Sequence, residues 1–287
     1  MEIPQVTVIT ATYNKFDRIR ETMDSLTIQS HPNRFYIIAD DGSKNFPEKE
    51  ICGHLDSGLQ KDDYAIVRGE ENVGTVKNLN RALQYAKGDF VFMLSEGDVF
   101  LHEDVLLHWS AQMAKSGAKM MMARYIRQDG GTAALPTDAQ IRHMKQMDAD
   151  RLFYEVSFGN YISGRALAYD RKWLQEQGGF DESYRLLEDL PLILKSLRRG
   201  IRPGVFDEVA IAYEGGGVSE GGRMNPILGD DHMRLLEREI LPTVKCGGKT
   251  IKNYYEMMCG KRQLRRMEWA AVRAKRKMML ALNAVFM

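Results

Sequence analysis

Short apolar runs alternate with amphipathic helical patterns along the first hundred residues. Apolar residues recur at the spacing of one helix face directly after the first run, and again over about residues 74–86. Strands that alternate with helices are typical of a mostly parallel sheet with helices on both faces. The pattern therefore predicts an α/β fold whose first strands span residues 6–10, 35–39, 64–67 and 90–94.

The rest of the chain is less regular. Residues 129–150 are predicted to form a polar loop with a short helix, and residues 161–169 are predicted to form a further element. A helix is expected to open near Glu188, and the apolar run 205–213 predicts another strand. From about residue 225 onward the pattern predicts a helical extension.

Two acidic clusters directly follow predicted strands. Asp40 and Asp41 come after the second strand, and Glu96 and Asp98 after the fourth. Parallel strands place their carboxyl ends on one edge of a sheet, where open α/β sheets bind ligands. Carboxylates at that edge bind hard cations or accept hydrogen bonds from a ribose. The alternative is that they only form turns and cap helices.

Composition and charge exclude some classes of partner. The chain has 40 Lys and Arg residues against 39 Asp and Glu residues, and a net charge of +1 argues against a nucleic-acid partner. Three cysteines without metal-ligand spacing suit a reducing compartment. No signal sequence opens the chain, and no apolar stretch reaches the roughly 18 residues of a spanning helix. A cytoplasmic protein is expected.

Several familiar catalytic motifs are incomplete or absent in this sequence. Gly248-Lys249-Thr250 matches the end of a P-loop, but Thr243 occupies the required upstream glycine position. No G-x-G-x-x-G follows the first strand, and no G-x-S-x-G elbow is present. The six histidines do not pair at metal-site spacing. The acidic clusters, together with Glu188 and Asp189, remain as the candidate chemistry.

Several motifs in a fixed order resemble family 2 glycosyltransferases of the GT-A fold. Each motif is weak alone, but their order and intervals are specific, and they extend to about residue 215. They are Thr10-Ala11-Thr12-Tyr13-Asn14, Asp40-Asp41-Gly42-Ser43, Asn72-Val73-Gly74 with Lys77-Asn78, the turn Ser95 to Asp98, and Gly178-Gly179-Phe180-Asp181-Glu182 followed by Glu188-Asp189.

The resemblance implies an inverting glycosyltransferase that uses a nucleotide-diphosphate sugar, with a UDP-sugar favoured. The acceptor would be a hydroxyl of a saccharide or lipid-linked saccharide. The implied domain spans residues 1–224, with a nucleotide-sugar half over about 1–100 and an acceptor half over about 101–224, and residues 225–287 form the extension. The implied donor-binding residues are Thr10, Thr12, Tyr13, Asn14, Asp40, Asp41, Lys77 and Glu96.

The resemblance also implies catalytic and metal-binding roles. Asp189 would be the general base, with Glu188 orienting the acceptor or bracing that base. Mg²⁺ or Mn²⁺ would be held by Asp98 and Glu96, with His232 as a candidate third ligand. An ordinary helix-start histidine is the alternative for His232, and a core aromatic is the alternative for Tyr13.

One motif departs from the family pattern. The family has Asp-x-Asp-Asp at the acidic turn, and this chain has Ser95-Glu96-Gly97-Asp98. That departure keeps a non-catalytic nucleotide-sugar-binding relative open as an alternative. A sugar-phosphate nucleotidyltransferase is a further alternative, although that class has a glycine-rich motif where this chain has Ala11-Thr12-Tyr13-Asn14.

The C-terminal residues 261–287 predict a basic amphipathic helix. Eight lysines and arginines face a single opposing acid, Glu268, and the apolar end from Met278 to Met287 is too short to span a bilayer. We expect this tail on a membrane surface, on the inner face. Packing against its own domain or a partner subunit is the alternative.

Overall fold

The computed structural model describes residues 2–128, 133–215, 224–244 and 247–260, and helical positions 270–272, 274–275 and 277–278. The chain divides into two units. The first contains Met1–Thr137, Ser163–Glu182 and Pro203–Gly215, and the second contains Asp138–Ile162, Ser183–Arg202 and Gly216–Met287. The domain boundary predicted at residue 224 stays a prediction.

One mixed sheet lies entirely in the first unit, in the order β3-β2-β1-β4-β7-β6-β8-β5. The neighbours β3, β2, β1 and β4 are parallel, whereas β7 is antiparallel to both β4 and β6. The predicted α/β class is confirmed. The strands are β1 Val6–Thr12, β2 Arg34–Asp40, β3 Tyr64–Arg68, β4 Phe90–Ser95, β5 Val99–Phe100, β6 Met120–Arg127, β7 Leu167–Asp170 and β8 Gly204–Tyr213.

Helices occur in both units, and those of the second unit are α5, α6, α8, α9 and α10. A π-helical turn, Leu236–Ile240, directly follows α9. The helices are α1 Ile19–Thr27, α2 Glu48–Leu55, α3 Thr75–Leu83, α4 Val105–Ser116, α5 Asp138–Gln146, α6 Ala149–Phe158, α7 Arg171–Glu176, α8 Asp189–Arg198, α9 Pro226–Leu235 and α10 Gly248–Met258.

The central strands form because their residues are buried on both faces. Val6, Val8 and Ile9 of β1 have no exposed surface. This is why the strands read as continuous apolar runs instead of alternating patterns. On one face, the Trp109 ring of α4 packs edge-on against Phe92, with ring centroids 5.1 Å apart. The predicted strands at 35–39, 64–67, 90–94 and 205–213 are confirmed as β2, β3, β4 and β8.

The topology places a switch point in strand order beside β1. The chain runs from β1 outward to β2 and β3, and then returns to β4 on the other side of β1. Such a switch point is where open α/β sheets bind ligands. Thr12 is paired with Asp40 and Ala11 with Ser95, so three of the motifs end side by side.

The second unit is helical within the described residues. The Asp231 carboxylate of α9 accepts backbone N–H bonds from Arg185 at 2.9 Å and Leu186 at 2.7 Å. These bonds anchor the segment that leads into α8, the helix expected near Glu188. Within the element predicted over residues 161–169, residues 164–166 form a 3₁₀ turn, and β7 begins directly after it at Leu167. None of the described helices has the length and apolar character needed to cross a membrane.

Candidate active site

The end of β1 carries the first polar motif of the first unit. Thr10 is fully buried in the strand, and the Thr12 hydroxyl donates to the Lys15 carbonyl at 2.8 Å. Asn14 has a φ of 50° and donates its backbone N–H to Ser43 Oγ at 2.7 Å. The Tyr13 side chain is 46% exposed, so it is not the core aromatic considered as an alternative. The loop thus presents the Tyr13 ring to solvent beside the Ser43 turn.

Asp40 and Asp41, at the end of β2, hold neighbouring loops in place. Asp40 Oδ2 accepts from the Ser43 N–H at 3.0 Å and lies 3.3 Å from Arg68 Nε. Asp41 accepts from the N–H groups of Val73 at 3.1 Å and Gly74 at 2.8 Å. Both carboxylates are almost completely buried. These bonds fix the start of α3 against the end of β2.

Helix α3 contributes two further polar residues of the motif. Asn78 is buried, donates to the Ala39 carbonyl at 2.9 Å and accepts from Arg81 at 2.6 Å. Arg81 also donates to the Asp40 carbonyl at 3.1 Å. Lys77 is exposed on the same helix, which leaves its ammonium accessible. Asn78 therefore supports the β2 end, and Lys77 is the donor-binding candidate.

Both carboxylates of the acidic turn after β4 contact groups from distant segments of the chain. Glu96 Oε1 accepts the Arg18 N–H at 2.9 Å, and its Oε2 lies 3.2 Å from Lys15 Nζ. Asp98 Oδ1 accepts the Glu214 N–H at 3.3 Å. Burial raises the pKa of Asp98 to about 6, against the opposing charge of Arg165. The turn thus holds two buried carboxylates with one ammonium beside them.

Glu214 adds a carboxylate to this turn from the end of β8. Its side chain forms an ion pair with Lys15 and lies 3.7 Å from Arg18 Nη1. Gly97 has a φ of 89°, and any Cβ at this position would collide with the Glu214 carboxylate. The missing side chain at residue 97 therefore leaves the space that Glu214 fills.

No sequence motif includes Lys15 or Arg18, and none predicts that the Glu214 side chain reaches the acidic turn. Lys15 directly follows the Thr12-Tyr13-Asn14 motif, and that adjacency is the one signal that could have identified it. Glu214 opens the glycine-rich stretch 214–219, which the sequence predicts to be a loop that closes over the donor or a plain surface loop, but nothing in that pattern assigns a role to the Glu214 carboxylate. Its contact with Lys15 joins residues 199 positions apart, which no local pattern reveals.

The second unit carries the remaining predicted residues, Glu188, Asp189 and His232. Asp189 is the first residue of α8, is half-buried, and accepts the Leu190 N–H through Oδ1 at 2.6 Å. Glu188 is half-buried just before the helix. Burial lowers the pKa of His232 to about 4, against the opposing effect of Asp231, so its imidazole is neutral near pH 7.

The predicted residues therefore form two sets. One set lies around the β1, β2 and β4 ends of the first unit, and the other lies in the second unit at α8 and α9. Within the described ranges, no group of three or more His, Cys, Asp or Glu residues is arranged to hold a metal ion. The assigned roles of these residues stay predictions.

The chain is similar to known glycosyltransferases in sequence. The model of the family described as "Glycosyl transferase family 2" matches residues 7–178. A putative teichuronic acid biosynthesis glycosyltransferase, TuaG of Bacillus subtilis, is 28% identical over 73% of this chain and 79% of its own length. The succinoglycan biosynthesis protein ExoO of Rhizobium meliloti is 23% identical over 92% of this chain and 76% of its own.

Solved structures with the same fold include TarS of S. aureus. Residues 1–349 of TarS in complex with UDP-GlcNAc superpose with a TM-score of 0.63, at 18% identity, over 88% of this chain and 71% of that chain. The mannosyltransferase PcManGT of Pyrobaculum calidifontis, in complex with GDP-Man and Mn²⁺, has a TM-score of 0.55 at 16% identity. That superposition covers 99% of this chain and 85% of that chain.

The family match covers more than half of the chain and includes the polar ends of β1, β2 and β4. The sheet order and the structural likeness support the fold. The protein belongs to glycosyl transferase family 2 and is a glycosyltransferase with the GT-A fold.

Proposed function

We propose that this enzyme transfers a sugar, with inversion, from a nucleotide-diphosphate donor to a hydroxyl of a saccharide or lipid-linked saccharide. The observation that carries the proposal is the register at the switch point. Thr12 lies opposite Asp40, and Ala11 lies opposite Ser95, so the motif residues meet at one sheet edge. The names of TuaG and ExoO support a role in polysaccharide biosynthesis.

The first unit binds the donor in this proposal. Tyr13 offers an exposed ring against which a nucleotide base can stack, and Asn14 and Ser43 hold that loop to the β2 end. Thr10, Thr12, Asp40 and Asp41 are assigned to the same donor site, at the ends of β1 and β2. Lys77, exposed on α3, faces a phosphate in this assignment. The TarS complexes with UDP and UDP-GlcNAc favour a UDP-sugar.

A divalent cation fits the acidic turn when it is shared with the donor. Mg²⁺ is commonly held by one or two carboxylates together with substrate phosphates. Asp98 and Glu96 provide two such carboxylates, and the Lys15 ammonium already lies beside Glu96 as a cationic stand-in. Asp98 and Glu96 would therefore hold Mg²⁺ or Mn²⁺. When bound, the ion would neutralise charge on the leaving diphosphate.

Proton transfer is assigned to the second unit. The acceptor oxygen forms a bond to the anomeric carbon while the bond from that carbon to the diphosphate oxygen breaks. The Asp189 carboxylate takes the hydroxyl proton as the new bond forms. The start of α8 fixes the carboxylate's direction, and Glu188 beside it orients the acceptor. Attack opposite the leaving group inverts the configuration.

The stereochemical outcome tests this proposal. The wild-type enzyme is incubated with a UDP-sugar and a saccharide acceptor, and the anomeric configuration of the first-formed product is read by proton NMR. We expect the configuration opposite to that of the donor. Retained configuration would reject Asp189 as the base of a single displacement, and donor binding without any transfer would favour a non-catalytic relative.

The C-terminal tail docks on an anionic membrane surface in this proposal. Lys275 and Lys277 are exposed at helical positions, although most of residues 261–287 lie outside the described residues. Basic amphipathic helices bind anionic headgroups through charge and apolar burial. The full chain should float with anionic vesicles, and a chain lacking residues 261–287 should not. Equal flotation of both would reject the membrane role, and neutral vesicles are the matched control.

A further inference from the structure

The second unit contains a cavity of about 520 Å³ that no predicted role explains. It is lined by residues from α5, α6, α8, α9 and α10, which all belong to this unit. Pockets that bind small ligands span roughly 300 to 1,000 Å³. The cavity is therefore large enough to enclose a sugar residue.

Two polar atoms in this cavity lack partners. Tyr161 Oη and His232 Nδ1 are buried, and neither forms a hydrogen bond within the described part of the chain. Buried polar groups in proteins are nearly always hydrogen-bonded, because leaving one unpaired costs about 1–3 kcal/mol. These two atoms mark where the hydroxyl groups of a ligand would be bound.

Aromatic rings provide the apolar part of the lining. Tyr255 lies between His232 and Tyr254, with ring centroids 6.1 Å and 6.0 Å apart, respectively. A pyranose ring has one face of C–H groups, and this face loses its contact with water when it packs on an aromatic ring. A cavity with aromatic surface and isolated hydroxyl partners suits a sugar better than a purely apolar ligand.

The charged residues of the cavity lining indicate which class of sugar fits it. Glu155 is the charged residue of the lining, and its Oε2 lies 3.0 Å from His143 Nε2. No lysine or arginine occurs among the described residues that line the cavity. A phosphate or a uronate would enter without a compensating cation, and it would meet the Glu155 carboxylate. The lining therefore favours an uncharged sugar.

The cavity adjoins the start of α8. Leu190 lines it, and Asp189 is the preceding residue and accepts the Leu190 N–H. We propose that this cavity binds the acceptor as an uncharged hexose or N-acetylhexosamine residue, with Tyr161 and His232 bonding its hydroxyls. The assignment of that sugar as the acceptor rests on the proposed function.

Direct binding tests the cavity. Methyl glucoside, methyl N-acetylglucosaminide and methyl glucuronide are titrated into the full chain saturated with UDP, and contact is read by saturation-transfer NMR. The two uncharged glycosides should bind, and the glucuronide should bind more weakly. Tyr161→Phe removes one hydroxyl and should weaken binding about 3- to 10-fold. Tyr85→Phe removes an exposed hydroxyl of the first unit and should change nothing.

The outcomes separate this proposal from the proposed function. Any of three results would overturn the cavity assignment. The protein could prefer the glucuronide, it could bind no glycoside, or it could bind glycosides equally well after Tyr161→Phe and after Tyr254→Ala, which removes an aromatic ring of the lining. Hydrolysis of the UDP-sugar in the same samples reports on the donor site alone. If the UDP-sugar is hydrolysed but the cavity substitutions leave glycoside binding unchanged, only the cavity assignment is rejected. If glycosides bind in the cavity but the UDP-sugar is not used, the proposed function is rejected and the cavity remains a sugar site.

Discussion

The polar groups of the two units are held in different ways. At the ends of β1, β2 and β4 in the first unit, where the donor is proposed to bind (the donor edge), Asp41 is bonded to the N–H groups of Val73 and Gly74, and Asn14 is bonded to Ser43. In the cavity of the second unit, Tyr161 Oη and His232 Nδ1 have no partner within the described residues. Under the proposed function, the donor would meet polar groups that the fold already holds in place, whereas the acceptor would supply the hydrogen bonds that the cavity atoms lack.

The largest effect should come from the second unit. Asp189→Asn should lower turnover about 10²- to 10⁴-fold, because a general base contributes that much. Donor binding, measured as the rise in melting temperature with UDP-sugar, should stay normal, since the donor edge is unchanged. This separation would sharpen the contrast between the units.

Loss of a helix cap provides the matched control for Asp189. Asp148 caps α6 by accepting the Arg151 N–H at 2.8 Å. Asp148→Ala should reduce the free energy of unfolding by about 1 kcal/mol with turnover nearly unchanged. If Asp189→Asn behaves like Asp148→Ala, then Asp189 is only a structural residue.

The next largest effect should come from the acidic turn of the first unit. Asp98→Asn should lower turnover about 10²-fold, because charge on the leaving diphosphate loses its stabilisation. Unlike Asp189→Asn, it should also weaken donor binding, measured by titration calorimetry, and excess chelator should reproduce both losses in the wild type. Glu50→Gln, at an exposed acid of α2, is the control. Full activity in chelator would contradict the role assigned to the turn.

Asp41 should matter for stability more than Asp98 does. Asp41→Asn places an amide N–H₂ against one of the two backbone N–H groups and a weaker, neutral acceptor against the other. It should lower the free energy of unfolding by about 2–4 kcal/mol. Urea denaturation measures the change. Asp62→Asn, at an exposed position of the same unit, should have no effect. A stable Asp41→Asn variant would show that the donor edge is not held together by this residue.

The smallest effect concerns acid stability. Burial lowers the pKa of His31 to about 4, and its Nδ1 accepts the Asn33 N–H at 3.2 Å, which keeps the ring neutral. Between pH 6.5 and 4 the unfolded chain binds a proton at this residue that the folded chain does not, so stability falls as pH decreases. From pH 7.5 to 5 the contribution should be about 1–2 kcal/mol. His31→Gln should flatten the pH dependence of urea unfolding, and an unchanged slope would contradict the assignment.

The strands β1, β2 and β4 and the polar residues at their ends could be predicted from sequence because their signals are local. Apolar runs that end at Asp40 and Ser95 indicate both the strands and the polar residues that follow them. The antiparallel position of β7 could not be predicted, since strand order depends on contacts between distant segments. The ion pair of Lys15 with Glu214 and the cavity around Tyr161 were missed for the same reason. Their side chains come from separate elements with no common spacing.

Donor binding tests the central claim most directly. The melting temperature of the wild-type chain is measured with UDP-GlcNAc, other nucleotide-diphosphate sugars and free sugars, each with Mn²⁺ and with chelator. The account predicts a clear rise with at least one nucleotide-diphosphate sugar, a smaller rise in chelator, and none with the free sugar that the donor carries. No rise with any nucleotide-diphosphate sugar would contradict a donor site at the ends of β1, β2 and β4.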